Sequence, residues 1–504
     1  MAVKTAGDSP VITPEQLQSV LGALKSPRRL KTEVLAGLVV ALALIPEAIA
    51  FSIIAGVDPR IGLFAAFTMA VTISFVGGRP AMISAATGAV ALVIAPLMKS
   101  HGIDYLIAAV ILAGVFQIIL GVSGVAKLMR FIPRSVMVGF VNALAILIFM
   151  SQVPELLGVP WLVYPLAAVG LLIIFGLPKL TKVVPSPLVA IVVLTLITVF
   201  AAIIVPTVGD KGALPDSLPS LFMPNVPFSM ETLQIIFPFS LAMAFVGLLE
   251  SLMTAKLVDD ITDTRSSKTR EAWGQGVANI VTGFFGGMGG CAMIGQTMIN
   301  VKASGGRTRI STFLAGLFLL ILVVVLGDVV SLIPMAALVA VMVFVSIATF
   351  DWHSIRPSTL KMMPKSETMV MVATVIVTVV THNLAIGVGV GVLVAMVLFA
   401  RRVAHFVTVE RSVESLNGQE TASYVVNGEL FFASSNDLYT QFDYALDPDH
   451  VVIDMHGSHL WDASTIAALD AITEKYRKHG KNVEVVGLNE ASTLMRQRLG
   501  GKLG

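Results

Sequence analysis

The sequence predicts an all-α polytopic membrane protein of fourteen spans in two inverted sets of seven, followed by a small cytoplasmic α/β domain. Three observations predict it. Charge is scarce, basic residues recur on alternate connections, and two Gly-rich broken segments occupy matching places in the two halves. Of 504 residues, 56% are hydrophobic and 13% charged, about half the roughly 25% charged content of soluble domains. Mean hydropathy is +0.86. A water-soluble enzyme and a disordered chain are both excluded. So is a nucleic-acid binder, because 34 Lys plus Arg against 32 Asp plus Glu leaves no basic footprint for phosphates. A single cysteine, Cys291, rules out a disulfide framework and a Cys-built zinc site.

Composition divides the chain at two places. Residues 1–32 form a polar segment carrying Lys4, Lys25, Arg28, Arg29 and Lys31, with no apolar core of a cleavable signal peptide. Apolar runs fill residues 33–404, and a charged segment, 405–504, follows Arg401 and Arg402. At about 20 residues per span, the middle block holds fourteen, expected near 34–53, 59–78, 79–100, 105–126, 131–150, 161–178, 183–206, 235–256, 271–287, 289–303, 309–328, 333–350, 367–382 and 384–404. The even-numbered connections carry the cations: Arg79; Lys127, Arg130 and Arg134; Lys179 and Lys182; Lys256, Arg265, Lys268 and Arg270; Lys302, Arg307 and Arg309; Arg356, Lys361 and Lys365. The long connection near 207–232 holds Asp210, Asp216 and Glu231 against Lys211. The positive-inside rule then puts both termini in the cytoplasm and the protein in the cytoplasmic membrane as a multi-pass protein.

Residues 77–88, GGRPAMISAATG, and 286–297, GGMGGCAMIGQT, both run from paired glycines through Ala-Met-Ile to small or hydroxyl residues. Each is the third segment of its half (repeats about 33–206 and 233–404), and an odd number of spans between them inverts the second copy. A segment broken by Gly and Pro cannot cross lipid as one helix without leaving backbone groups unpaired, but it can line a cavity inside protein. Two half-helices starting at mid-membrane would aim their N-terminal amides at one point and form an anion site without a basic side chain. The candidate substrate residues are Ala86, Thr87 and Gly88 in one copy and Cys291, Ala292, Ile294, Gly295 and Gln296 in the other. The plainer alternative is that these glycines only allow close helix packing.

Two carboxylates fall well inside spans: Glu47 in the first and Glu250 in the eighth, equivalent spans of the two halves. Ionisable groups at such depth are functional candidates by default. Glu250 and Thr254 share a helix face one turn apart. A carboxylate beside a hydroxyl suits Na+, a hard cation that takes oxygen ligands, and a protonated Glu would carry H+ instead. The competing roles are a helix–helix hydrogen bond for Glu250 and, for Glu47, satisfaction of backbone groups freed where Pro46 kinks the helix. His382 and Asn383 read as a loop.

The stretches IPEAIAFSIIAGVDPRIGLFAAF, GGRPAMISAATG and GQGVANIVTGFFGG, followed by INVKASGGRTR, resemble the sulfate permease (SulP) family of anion transporters over nearly the whole chain. The resemblance implies a core domain from spans 1–4 and 8–11, a gate domain from spans 5–7 and 12–14, elevator-type transport and a homodimer in the lipid bilayer. Implied substrates are sulfate, bicarbonate, other inorganic anions or dicarboxylates. Thr87 matches the family's substrate-side threonine. Glu250 and Thr254 match the acidic residue and threonine that bind Na+ in the bicarbonate branch, where the acid is Asp; the longer Glu leaves Na+ and H+ both open as coupling ion. Glu47 is absent from that branch. Animal members place an Arg at the position aligned with Thr297, and its absence here leaves helix ends, with a coupled cation, to supply positive potential. No other cofactor is implied.

In the tail, TASYVVNGELFFAS reads as two strands, Asn436 to Leu446 as a helix, 451–455 as a buried strand, Ser464 to His479 as an amphipathic helix, VEVVGL as a strand, and the rest as a last helix. This pattern resembles the family's STAS domain. Asp462-Ala463-Ser464 sits where such domains have Asp-x-Ser, which makes Ser464 a candidate regulatory serine, against the simpler role of a helix cap. The reading is a secondary active anion transporter and not an enzyme, since no metal cluster or nucleophile–base pair falls inside the spans. The alternatives are a dicarboxylate/H+ symporter of the same family and an uncoupled anion channel.

Overall fold

The computed structural model describes residues 18–124, 132–180, 185–404, 407–416 and 419–502. Lys4, Lys127, Arg130 and Lys182 of the charge pattern lie outside them. Two compact units result, 1–392 and 393–504. In chain order the first contains α1 (Val20–Leu24), α2 (Pro27–Ala55), α3 (Pro59–Val76), β1 (Ser84–Ala85), α4 (Gly88–Val122), α5 (Arg134–Gln152), α6 (Val163–Leu180), α7 (Ser186–Phe200), α8 (Met230–Thr262), α9 (Lys268–Phe284), β2 (Cys291–Ala292), α10 (Ile294–Met298), α11 (Arg309–Val325), α12 (Gly327–Ser331), α13 (Met335–Thr349), α14 (Pro357–Met362) and α15 (Lys365–Thr381). The next helix, α16 (Leu384–Ala404), runs from one unit into the other.

A helix or broken helix occupies each of the fourteen expected positions. Among the described residues seven helices are long and apolar enough to cross a membrane; α7, α11 and α13 are apolar but shorter. α4 covers two expected spans and breaks between them at Gly102, whose φ of 81° and ψ of −172° suit a residue without Cβ. α2 stays helical on both sides of Pro46, so that proline costs a ladder bond and not the helix. His382 ends α15 in the left-handed region, and Asn383 accepts from the amides of Ala385 and Ile386, as the loop reading expected.

The membrane part is not purely helical. β1 and β2 pair antiparallel, Ser84 opposite Ala292 and Ala85 opposite Cys291. This bridge corrects the register of the repeat. The shared Ala-Met-Ile lies just before β1 in the first copy but straddles the end of β2 in the second, so the two Ala-Met-Ile triplets are not equivalent residues. What the copies share is the order: glycines, a two-residue strand, then a helix start.

Unwound backbone at this depth persists only if other groups complete its hydrogen bonds. Here neighbouring side chains do so. Ala292 N–H donates to Ser251 Oγ (3.0 Å) and Ile83 N–H to Thr297 Oγ1 (3.0 Å). Asn279 holds Gly290 at both its N–H (2.9 Å) and its carbonyl (3.0 Å). Asn300 donates to the Ala81 carbonyl and Thr312 to the Met82 carbonyl. Glu271 accepts from the amides of Gly78 and Arg79, and Gln275 donates to Ser84 Oγ (2.7 Å).

The tail unit has a four-stranded sheet ordered β3 (Thr408–Leu416), β4 (Gln419–Leu430), β5 (His450–Leu460), β6 (Asn482–Val486). β3 and β4 are antiparallel, while β4–β5 and β5–β6 are parallel. Helices α17 (Phe432–Leu438), α18 (Ala463–Lys478) and α19 (Glu490–Leu499) complete it. The sequence reading is corrected in two places. TASYVVNGELFFAS is one strand followed by the start of α17, because the chain turns at Phe431 into a helix. The helix expected at Asn436–Leu446 begins earlier and ends by Gln441. β3 went unread because its alternating, half-charged pattern has few buried positions.

The tail's core holds a fully buried carboxylate, Asp447. It accepts from the hydroxyls of Tyr424 (2.7 Å) and Tyr476 (2.5 Å) and pairs with the Arg411 guanidinium (2.7 Å). Burial, together with Asp447, pushes the Tyr476 phenol well above its usual range, which keeps it a donor.

The β1–β2 bridge gives a direct test. A Cβ added at Gly290 would lie 1.9 Å from the Ala85 carbonyl oxygen. Gly290→Ala is expected to destabilise the detergent-purified protein by about 3 kcal/mol, read as a lowered unfolding temperature. Unchanged melting would mean that the bridge is not part of the stable fold.

Candidate anion site between two half-helices

The two half-helices begin where the bridge ends. Thr87 has extended φ/ψ and caps α4, accepting from Val90 N–H at 3.4 Å. α10 begins after Met293, which offers no side-chain cap. The first amides of a helix have no intrahelical partner, and in α10 these belong to Ile294, Gly295 and Gln296. All three residues line one cavity of about 670 Å³, together with Thr87 and Gly88. α10 continues as a wider π turn over Ile299–Ala303, a device that re-aims side chains and recurs at functional sites.

Glu47 and Glu250 line the same cavity. Gln296 and Glu47 both line its wall. Glu250 Oε2 accepts from the Cys291 thiol at 3.0 Å, and that sulfur lies 3.2 Å from Thr87 Oγ1. No Lys, Arg or His lines the cavity among the described residues. α5, α7 and α13 also line it, through residues such as Phe140, Leu144, Ser186 and Phe344.

Seven of the candidate residues therefore meet at this cavity: Thr87, Gly88, Ile294, Gly295, Gln296, Glu47 and Glu250. Ala86, Cys291 and Ala292 are buried behind it, in or next to the strand bridge. Thr254 is fully buried one turn from Glu250, but its hydroxyl donates to the Glu250 carbonyl (2.8 Å) and does not line the cavity. Thr297 turns its hydroxyl to the Ile83 amide, likewise away from the cavity. In the tail, Asp462 caps α18 by accepting from Thr465 N–H (3.0 Å), and Ser464 is exposed beside it.

Sequence reasoning missed Met293 and Phe51 as lining residues and Ser251 as the support of Ala292. Phe51 had a signal, since it sits one turn beyond Glu47 and so shares its face. Ser251 had none, because its role depends on how α8 packs on a segment more than 40 residues away.

The residues that build this cavity match a known pattern. The model of the sulfate permease family matches residues 30–167 and 161–374. The chain belongs to that family. The STAS domain model matches residues 416–500. One relative, "Putative sulfate transporter YbaR" of Bacillus subtilis (strain 168), is 55% identical over 469 residues, 93% of this chain and 97% of the relative. "Bicarbonate transporter BicA" of Picosynechococcus sp. is 26% identical, covering 91% of this chain and 89% of its own. Two solved structures share the fold. That of SLC26A9 superposes with a TM-score of 0.77 at 16% identity over 93% of this chain and 86% of the other. The transmembrane domain of a cyanobacterium bicarbonate transporter BicA gives 0.64 at 24% identity, over 72% and 98%. The fold class read from sequence stands: a mostly helical membrane protein with a C-terminal STAS domain.

Two substitutions probe the cavity. Nothing lies within 4 Å of a Cβ built at Gly295, so Gly295→Ala should melt like the wild type while raising the KM of the transported anion several-fold through lost space at the helix start. Thr87→Val should fold, losing about 1 kcal/mol with the cap, and raise KM about tenfold if the hydroxyl donates to the anion. Unaltered KM in both would exclude this helix pair from the substrate site.

Proposed function

We propose that this member of the sulfate permease family is a secondary active transporter of an inorganic anion of the sulfate or bicarbonate class, coupled to H+ or Na+. The observation that carries the reading is the composition of the cavity wall: two carboxylates, two uncapped or half-capped helix starts and, among the described residues, no basic side chain. Helix amides favour an anion, whereas ionised Glu47 and Glu250 repel it. The cavity is hospitable only when a proton or cation offsets the carboxylates, so loading of the two species is linked. A ligand shifts a carrier between states only by binding them differently, and such linkage gives cation and anion together that leverage. An uncoupled channel has no use for carboxylates at this place.

In this reading Ala86, Thr87, Gly88, Cys291, Ala292, Ile294, Gly295 and Gln296 form the anion-binding region. Glu250, with Thr254 and Glu47, forms the coupling group. The cavity is lined by residues of α2, α4, α8 and α10, which the resemblance assigns to a core, and of α5, α7 and α13, which it assigns to a gate. This shared lining supports an elevator in which a core carrying the half-helices slides against a gate. The chain would sit in the cytoplasmic membrane as a homodimer, with both termini and the STAS domain in the cytoplasm. The proposed domains are an N-terminal segment 1–32, a transporter 33–404 and a STAS domain 405–504, with Ser464 as an exposed regulatory serine. The names of the relatives agree with a sulfate or bicarbonate substrate.

The test is uptake of labelled sulfate, bicarbonate and fumarate into proteoliposomes under imposed Na+ and pH gradients. One of the first two should accumulate against its gradient; accumulation of fumarate alone would make the protein a dicarboxylate symporter. Glu250→Gln should abolish the gradient dependence, and unchanged dependence would refute the coupling role of Glu250.

A further inference from the structure

The sulfur of Cys291 stands between the two groups that the proposed mechanism must connect. Thr87 Oγ1 is 3.2 Å on one side and Glu250 Oε2 is 3.0 Å on the other. Thr87 and Glu250 reach the cavity, and Cys291 lies behind its wall, fully buried. The three residues come from three separate segments: the start of α4, β2 and α8. Thiol and hydroxyl each carry one hydrogen and can each accept. The chain Thr87–Cys291–Glu250 can therefore run in either direction, but not in both at once.

We propose that these residues form a hydrogen-bond relay whose direction is set by a proton on Glu250, and that the relay arms the Thr87 hydroxyl toward the anion. It rests on the reading of Glu250 as the coupling group and makes H+ the coupling ion. With Glu250 ionised, the Cys291 S–H donates to the carboxylate and the Thr87 O–H donates to the sulfur. The threonine hydrogen is then turned away from the cavity. When a proton from water joins Glu250, the new O–H donates to the sulfur and the S–H swings to Thr87 Oγ1. That oxygen now accepts from Cys291 and from Val90 N–H, which fills its acceptor sites and leaves its own hydrogen for the anion. No bond other than the carboxyl O–H is made, and no proton passes along the chain; only the two rotors turn. Na+ on the carboxylate carries no hydrogen and would not reverse the relay.

The surroundings keep this switch isolated. Among the described residues, Cys291 is the titratable group hydrogen-bonded to the Glu250 carboxylate. Glu47, on α2, lines the same cavity. Among the described residues no charged side chain of α4, α9 or α10 lines the cavity.

The experiment compares the KM of the accumulated anion, among labelled sulfate, bicarbonate and fumarate, between pH 5 and pH 8 in proteoliposomes, each KM being reckoned on the concentration of the ionised anion present at that pH. In the wild type KM should fall at low pH, from relief of carboxylate repulsion plus the armed hydroxyl. Cys291→Ala cuts the relay and leaves the repulsion, so the ratio of the two KM values should shrink by about tenfold, the worth of one hydrogen bond to a charged group. Cys291→Ser keeps a relaying hydroxyl and should keep the ratio. A wild-type ratio surviving in Cys291→Ala, or lost equally in Cys291→Ser, overturns the relay alone. A wild-type ratio of one, or no accumulation of any probe, overturns the coupling reading and the relay with it. If Cys291→Ala does not fold, Thr87→Ala reads the other end: its ratio should shrink equally, and an unchanged ratio overturns the proposal.

Discussion

Two residues of one half of the membrane domain hydrogen-bond to two residues of the other, and the remaining architecture is organised around that antiparallel contact. Ser84–Ala85 and Cys291–Ala292 pair inside the fold, where extended backbone is costly unless every polar group is matched. The bridge matches some of them and fixes where both half-helices start. The demand it leaves explains the polar side chains that would be out of place in an apolar bundle: Ser251, Gln275, Asn279, Thr297 and Asn300 are all buried and bonded to this region. Their chemistry is scaffolding, and it frees the helix starts to face a solute.

The cavity inherits its character from that arrangement. Protein groups bond to the bridge from behind, and the polar groups lining the open space include the starts of two helices, the hydroxyls of Thr87 and Ser186, and two carboxylates. Positive potential comes from backbone geometry and negative charge from side chains. The first is fixed, and the second can be cancelled by a small cation or proton. Under the function proposed above, such a site would need no basic residue, and its affinity for an anion would change without a helix moving.

Much of this was legible in the sequence. Scarcity of charge and the alternation of basic connections gave the class and the span positions, since both follow from the cost of charge in hydrocarbon. The broken segments and the two membrane carboxylates pointed to the cavity for the same reason. Three things were not legible. The register of the repeat was obscured because Ala-Met-Ile recurs by coincidence a few residues out of step. Thr254 shares a helix face with Glu250, but a hydroxyl's direction depends on which acceptor it finds, and here that is its own helix carbonyl. Ser251, the support of Ala292, owes its role to packing between distant segments, which periodicity does not encode.

Asp447 in the tail has an implication for where that domain begins as a folding unit. Similarity to STAS domains starts at residue 416, yet the cation that neutralises Asp447 is Arg411 on β3, upstream of that point. A fragment cut at the similarity boundary would strand an anion in its hydrophobic interior. The autonomous piece is defined by charge neutrality and starts at or before the first strand after the membrane.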